Sequence, residues 1–558
     1  MIKIDPKQLA EILVKESYVA EEDLKKAQEY EKIYKTDFVN YLMKEELITE
    51  ALLGQAIAEY YKLPFADLIL HQPPKEQVLQ IPEDVAMKYR VAVFKEDKNS
   101  LIIATDSPEE KTLLSGLKGI FKDKKIQLAY AMSDAIDDTF IHYRKTLETR
   151  FAKILESERE IAPGIIDEIM QDAFLYRSSD IHFEAQEKEV LIRFRIDGVL
   201  HEAARIDKEH YENILNRIKV MAQMRIDEHF NPQDGAIRYQ KEGRNLDLRV
   251  SIVPTVYGEK TVIRVLSAYV QNFNLTDIGL SENDQEMLSE ASKKPFGMIL
   301  VTGPTGSGKT TTLYALLRNL NRPEVNITTI EDPVEYKLVG INQIQVNPLT
   351  DLTFAKGLRS IVRQDPNIIL VGEIRDRETA EISVNAALTG HLLLSTFHAN
   401  DSATSIPRLL DMGVEPFLLA STMEVVIAQR LVRRICNSCR YSKVMDIKEI
   451  EKIFPRAKEF FRDKKVTMYQ GKGCPSCNNT GFKGRMAIYE IIKVSPEIKD
   501  LILKNPSTQD IWRIAKTQGS KTLFEDGIEK VKNGITTLEE LLRMASPPND
   551  LKPSKSKK

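Results

Sequence analysis

Met298-Ile299-Leu300-Val301-Thr302-Gly303-Pro304-Thr305-Gly306-Ser307-Gly308-Lys309-Thr310-Thr311 is the stretch on which the reading of this 558-residue chain turns. The apolar run Met298 to Val301 reads as a buried strand, and Thr311 to Leu317 can continue as a helix. Between them, Gly303 to Thr310 matches G-x-x-x-x-G-K-[ST], the phosphate-binding Walker A loop. Glycines let the backbone bend until successive N–H groups face phosphate oxygens, and the helix N-terminus adds partial positive charge. Lys309 is expected to reach the β- and γ-phosphates of ATP, and Thr310 to bind Mg²⁺ through its hydroxyl. The rival reading, a chance glycine-rich turn, does not account for every pattern position being filled between a strand and a helix. The expected nucleotide-binding set is therefore Gly303, Pro304, Thr305, Gly306, Ser307, Gly308, Lys309, Thr310 and Thr311.

Three further strand-like runs end in acidic or histidine-bearing segments. Ile327 to Ile330 leads into Glu331-Asp332-Pro333-Val334-Glu335, and Ile368 to Val371 leads into Gly372-Glu373-Ile374-Arg375-Asp376. Leu392 to Ser395 is bracketed by His391 and His398. Strands alternating with helices over this region predict a mostly parallel sheet. Ligands of such sheets gather at the carboxyl ends of the strands, so all three segments can converge on the phosphates. Taken singly, each acid is more often a helix cap or solvated turn residue. Behind one Walker A loop they supply what hydrolysis needs, a carboxylate for water and an anionic partner for Mg²⁺.

These segments resemble four ordered boxes of the secretion ATPase superfamily, in its GspE/PilB branch. Ser179-Asp180-Ile181-His182, Arg195-Ile196-Asp197-Gly198, Pro232-Gln233-Asp234-Gly235 and Gly534-Ile535-Thr536-Thr537-Leu538-Glu539-Glu540 match it as well. The resemblance covers about residues 160 to 545 and implies a RecA-like motor domain, a PAS-like α/β second domain and a ring of six. It implies that Glu335 is the aspartate-box catalytic glutamate, that Glu373 is the Walker B glutamate and that His391 lies near the γ-phosphate. By the same resemblance Arg249 and Arg264 in the second domain, and Arg359, Arg363 and Arg375 in the motor domain, are candidate transition-state arginines. Each of these also reads as a surface ion-pair residue.

All four cysteines fall in C-x-x-C pairs, Cys436/Cys439 and Cys474/Cys477. Two such turns complete a tetrahedral Zn²⁺ site with no open position, which predicts a structural metal. A redox pair is the rival, but neither motif opens a βαβ unit. Fibre-assembling members of the branch resemble this chain in carrying a tetracysteine insert.

The first 63 residues repeat at an offset of 29: Leu13, Val19, Leu24 and Ala27 return as Leu42, Ile48, Leu53 and Ala56. The spacing predicts two pairs of short amphipathic helices. The expected organisation is an N-terminal partner-docking domain over 1–145, with the helical repeat in 1–63 and an α/β part in 64–143. A linker over 146–162, the second domain over 163–272, the ATPase domain over 273–545 with a zinc insert over 430–485, and a disordered tail over 546–558 complete it. The break between second domain and motor is placed near Asn272.

Charge and composition narrow the partners. A formal net charge of −3 and a single Trp give no basic groove with stacking aromatics, so direct nucleic-acid binding is not expected. No signal peptide or spanning segment is read; Pro416 to Gln429 comes nearest, and it is short and holds Glu424. The expectation is a cytoplasmic protein, peripheral to the inner membrane through partners. The resemblance implies a homohexameric ATPase using ATP, Mg²⁺ and Zn²⁺ to drive type IV pilus assembly or type II secretion. An inner-membrane platform protein or a cytoplasmic docking protein would be its partner. A nucleic-acid translocase or conjugation-type ATPase is the alternative. Cyclic di-GMP binders of the family begin each repeat with Arg-Leu-Gly, whereas the second repeat here begins Lys35-Thr36-Asp37-Phe38, which argues against that ligand.

Overall fold

The computed structural model describes residues 4–34, 38–44, 47–71, 73–97, 99–110, 112–121, 124–143, 147–156, 161–241, 244–266, 275–347, 350–474 and 477–547. Lys35 to Asp37, the break at Asn272 and the tail from 548 onward lie outside the described residues. The chain packs as two compact units. One is Met1–Ala268 with the short turns Asn437–Cys439 and Gly473–Thr480, and the other holds the remainder from Tyr269.

In the first unit the 29-residue repeat becomes helices Pro6–Lys15, Glu21–Tyr34, Phe38–Lys44 and Glu50–Tyr60. Its equivalent apolar positions are all buried, Leu13 with Leu42, Val19 with Ile48, Leu24 with Leu53 and Ala27 with Ala56. The same sequence period therefore builds the same core contact twice. A three-stranded sheet follows, of β1 (Val91–Glu96), β2 (Ser100–Thr105) and β3 (Lys125–Tyr130).

The stretch read as a linker holds a packed helix. Leu147–Glu156 buries Leu147 and Phe151 in the core of the next sheet. Its charged residues conceal an i, i+4 apolar pair on one face. That sheet has β4 (Asp180–Ala185), β5 (Glu189–Ile196), β6 (Val199–Asp207), β7 (Gln233–Lys241), β8 (Arg244–Thr255) and β9 (Gly258–Leu266), in the order β6-β5-β4-β9-β8-β7 and antiparallel throughout. Alternation sends Ile181, Phe183, Ile192, Phe194, Leu248, Val250 and Ile263 into one core with helices Ile161–Leu175 and Lys208–Met221. Their alternate neighbours, Asp180, His182, Arg193, Arg195, Arg249 and Arg264, fall on the opposite face.

The second unit is built on a seven-stranded sheet in the order β12-β11-β13-β14-β10-β15-β18. Its strands are β10 (Gly297–Thr302), β11 (Ile327–Glu331), β12 (Asn342–Gln345), β13 (Ile368–Val371), β14 (Leu392–Phe397), β15 (Met423–Ile435) and β18 (Phe482–Lys493). All neighbours are parallel except β15 and β18. The inner strands β10, β13 and β14 are buried at every position, as parallel strands covered on both faces must be. Between β15 and β18 an excursion forms the hairpin β16 (Arg440–Asp446) and β17 (Lys465–Gly471). Among the described residues no helix is long and apolar enough to cross a membrane. Pro416 to Gln429 divides into helix Pro416–Thr422 and the start of β15.

Candidate functional site

Register brings four strand ends to one edge. Thr302, which ends β10, pairs with Phe397, which ends β14, and Ser395 pairs with Val371, which ends β13. Val371 in turn pairs with Ile330 of β11. The segments leaving these strands, Gly303 to Gly308, His398 to Asp401, Gly372 to Asp376 and Glu331 to Glu335, therefore share the carboxyl edge of the sheet.

The glycine loop is bent as phosphate binding requires. Gly308 is left-handed at φ 87° and caps helix Lys309–Leu320, so the helix N-terminus opens towards the loop. A Cβ on Gly303 would lie 2.6 Å from the Gln429 carbonyl oxygen and 2.7 Å from Ser307 Oγ, which leaves no room for a side chain. Lys309 Nζ donates to the carbonyls of Gly303 at 2.9 Å and Pro304 at 3.1 Å. It thus arches over the loop it serves. Burial pushes the Lys309 amine below its usual value; the Glu373 charge opposes that shift and Arg430 adds to it.

Glu373 is nearly buried, with a side chain 12% exposed. It is paired with Arg375, and its Oε2 lies 3.1 Å from His398 Nε2. Thr396 Oγ1 donates to the Gly372 carbonyl at 2.6 Å, which fixes the turn that carries Glu373. Glu335 and Thr310 are each half-buried at the same edge. Glu331 differs from both. It is buried and accepts from Tyr314 Oη, from Thr329 Oγ1 at 2.5 Å and from Gln343 Nε2 at 3.3 Å. Burial raises its pKa, so it serves as an internal brace rather than an exposed base.

His391, which the resemblance puts near the γ-phosphate, enters β14 from its amino end. It precedes Leu392, which pairs with Gly297 at the start of β10, and the His391 carbonyl accepts from the Gly297 N–H at 3.2 Å. Its ring Nδ1 lies 2.8 Å from the Ala386 carbonyl. Within one chain it therefore lies at the opposite edge from the loop, roughly 20 Å along the strand from His398. Register selects His398 as the histidine beside Glu373. Of the motor-domain arginines, Arg375 joins Glu373, whereas Arg359 pairs with Glu378 at 2.6 Å and Arg363 donates to Ser360 Oγ at 3.5 Å.

Sequence reasoning missed Gln429 and Arg430. Gln429, fully buried on β15, donates through Nε2 to the Ser307 carbonyl at 2.7 Å and so clamps the loop from the neighbouring strand. Arg430 donates to the Asn400 carbonyl at 3.0 Å. A polar pair ending the apolar run Val425 to Ala428 was the available signal.

Arg249 and Arg264 belong to the other unit. They sit directly opposite each other on β8 and β9, and Arg264 Nε donates to Asp180 Oδ1 at 3.1 Å.

The four cysteine sulfurs lie within 4.8 Å of one another. Cys439 Sγ is 3.8 Å and Cys474 Sγ 3.7 Å from Cys477 Sγ. Zn–S bonds of about 2.3 Å in a tetrahedron set sulfurs about 3.8 Å apart, so the cluster fits one zinc ion and is too open for a disulfide. The Cys474 N–H donates to Cys477 Sγ at 3.2 Å, a bond that favours the thiolate. Elemental analysis of the purified chain is expected to return one zinc per chain. Four freely titrating thiols in metal-free folded protein would contradict the assignment. Cys436→Ser is expected to loosen the insert while leaving ATP affinity within about threefold, because four protein thiolates would leave a metal no open position for chemistry.

Comparison with known proteins places these features in a family. The model of the family described as "Type II/IV secretion system protein" matches residues 155–543, and that of the "MshEN domain" matches residues 61–150. The chain is 36% identical to the type IV pilus assembly ATPase PilB of Myxococcus xanthus, covering 97% of this chain and 99% of that one. It is 38% identical to the PilB of Thermus thermophilus over 88% of this chain, spanning only 57% of that longer protein. Type II secretion system protein E of Pseudomonas aeruginosa is 47% identical over 70% of this chain and 77% of its own. Among solved structures, the ATPase DotB of Legionella pneumophila aligns at a TM-score of 0.52 with 20% identity, over 68% of this chain and 95% of that one, a likeness of fold. With a family model spanning well over half of its length and a relative matched from end to end, the chain belongs to the type II/IV secretion system protein family.

Proposed function

We propose that this chain is the ring-forming motor that turns ATP hydrolysis into assembly of a pilus or pseudopilus fibre. The observation that carries the reading is the single sheet edge at which the Walker A loop, Glu335, Glu373 and His398 emerge from parallel strands. The loop N–H groups and Lys309 bind the phosphates, and Thr310 offers a hydroxyl for the metal. Mg²⁺, when bound, neutralises charge on the β- and γ-oxygens. Glu335 and Glu373 orient and deprotonate water, with His398 and Arg375 holding the Glu373 carboxylate in place. Arg249 and Arg264 supply the cationic charge that the loop lacks for the transferring phosphoryl group.

The tetracysteine cluster holds a structural zinc that ties the excursion between β15 and β18. The N-terminal helical repeat and the α/β part after it form the docking domain for a membrane-machine partner, and the motor works at the cytoplasmic face of the inner membrane as a hexamer. The Lys35-Thr36-Asp37 start of the second repeat favours protein docking over cyclic di-GMP.

End-to-end coverage of the M. xanthus protein favours pilus assembly. The higher identity to the P. aeruginosa protein supports type II secretion as the second reading. Purifying the full chain from solubilised membranes and identifying the co-purifying inner-membrane protein tests both. A pilus platform protein supports the first and a secretion platform protein the second; a chain that neither co-purifies with either nor forms hexamers with ATP would contradict the motor reading.

A further inference from the structure

Strand β15 outruns its neighbour β10 and carries two polar residues past its end. Thr302, which ends β10, pairs with Ala428, so Gln429 and Arg430 continue alongside the glycine loop. Successive strand residues face opposite sides. Gln429 holds the Ser307 carbonyl, whereas Arg430 Nη2 donates to the Asn400 carbonyl at 3.0 Å and its Nη1 to the Gln429 carbonyl at 3.4 Å. Both partners of Arg430 are carbonyls. Among the described residues no carboxylate lies within ion-pair distance of this half-buried guanidinium.

Two acids are near enough to act on its charge, and both are committed elsewhere. Asp401 caps helix Ser402–Asp411, accepting from the Thr404 N–H at 2.7 Å and from Thr404 Oγ1 at 2.8 Å. Glu490, buried on β18, accepts from the Ser402 N–H at 2.9 Å and from Ser402 Oγ at 2.5 Å. Burial works against the Arg430 charge, and Glu490 and Asp401 oppose that effect without touching it. Burial also raises the Glu490 pKa, which reduces the negative charge it offers. The other neighbour is a cation, Lys309, whose amine the Arg430 charge depresses. A half-buried guanidinium beside a second cation, with no carboxylate paired to it, costs stability unless an anion joins them.

We propose that Arg430 is a second cation of the nucleotide site, kept free of a carboxylate so that its charge serves the terminal phosphates together with Lys309. The proposal rests on the reading that this sheet edge binds ATP, and it adds a residue to that site. Arg430 belongs to the same compact unit as the loop and is tied to Asn400 in the segment that also carries His398, the partner of Glu373. The rival is a purely structural arginine that holds the Asn400 carbonyl. The two differ in what they require. A nucleotide cation needs the charge, whereas a structural brace needs the guanidinium bonds.

Equilibrium binding of fluorescent ATP and ADP analogues to the full-length chain decides between them. R430Q, which removes the charge, is expected to weaken ATP on the order of tenfold. ADP, with one negative charge fewer, is expected to lose no more than about threefold. R430K keeps the charge and gives up the fork, and its ATP affinity is expected to stay within about threefold of the wild type. Equal losses in R430K and R430Q overturn the proposal, because they mark the carbonyl bonds as the function. Equal losses of ATP and ADP in R430Q overturn it too, since they mark a general disturbance of the loop. Wild-type binding by R430Q beside an impaired K309A overturns the proposal while leaving the nucleotide-site reading intact. Wild-type ATP binding by K309A removes that reading and the proposal with it. Should R430Q not fold, R430K carries the test alone: an ATP affinity lowered tenfold or more in R430K overturns the proposal, and a smaller loss supports it.

Discussion

Glu373→Gln is expected to leave nucleotide binding intact while lowering turnover by about 10²- to 10⁴-fold, the range of a lost general acid–base group. Glutamine keeps the shape of the side chain and can still face Arg375 and His398 from the end of β13. What it loses is the negative charge that, in the proposed function, orients and deprotonates water. Binding of a fluorescent ATP analogue and phosphate release, measured on the same preparation, separate the two steps. Turnover above about half of the wild-type rate would remove Glu373 from the chemistry. Glu335→Gln should give the same split if Glu335 is the base. Glu331→Gln should instead lower the melting temperature, because it disturbs the buried contacts with Tyr314, Thr329 and Gln343.

The double change Arg249→Ala, Arg264→Ala is expected to cost about 10³-fold or more in turnover, with ADP affinity within about threefold. Lys309 supplies one positive charge to the phosphates, too little for the charge spread over the equatorial oxygens in the transition state. The two arginines are held side by side on β8 and β9 by backbone register, so they act as a unit and each single change should already lose at least about tenfold. In the proposed function ADP lacks the group they address, so its affinity is expected to stay. Near-normal turnover in the double variant would return both residues to ordinary surface ion pairing.

What the sequence made legible and what it hid have different physical causes. The Walker A loop declared itself because its residue types are fixed by backbone geometry, and the left-handed Gly308 at the helix start is that geometry. The buried parallel strands were readable as apolar runs, and the cysteine turns as metal-ligand spacing. The choice between His391 and His398 was not readable in the same way. The two bracket one strand, and only the pairing of Leu392 with Gly297 and of Phe397 with Thr302 says which of them reaches the loop edge. The helix Leu147–Glu156 was read as part of a linker because its charges outnumber the two buried apolar side chains that anchor it. Asp180 lies in the legible Ser179-Asp180-Ile181-His182 motif, yet its bond to Arg264 spans 84 residues and exists only once β4 and β9 are paired. Local patterns survive in sequence, whereas contacts made by register do not.

Phosphate release from Mg·ATP by the purified full-length chain, beside Lys309→Ala in the same buffer, tests the central claim most directly. The account predicts steady turnover for the wild type. It predicts none above background for the variant, which loses the cation that spans the loop from Gly303 to Pro304 and with it productive phosphate binding. Wild-type turnover retained by a folded Lys309→Ala protein, or no hydrolysis by a nucleotide-bound wild type, would contradict it.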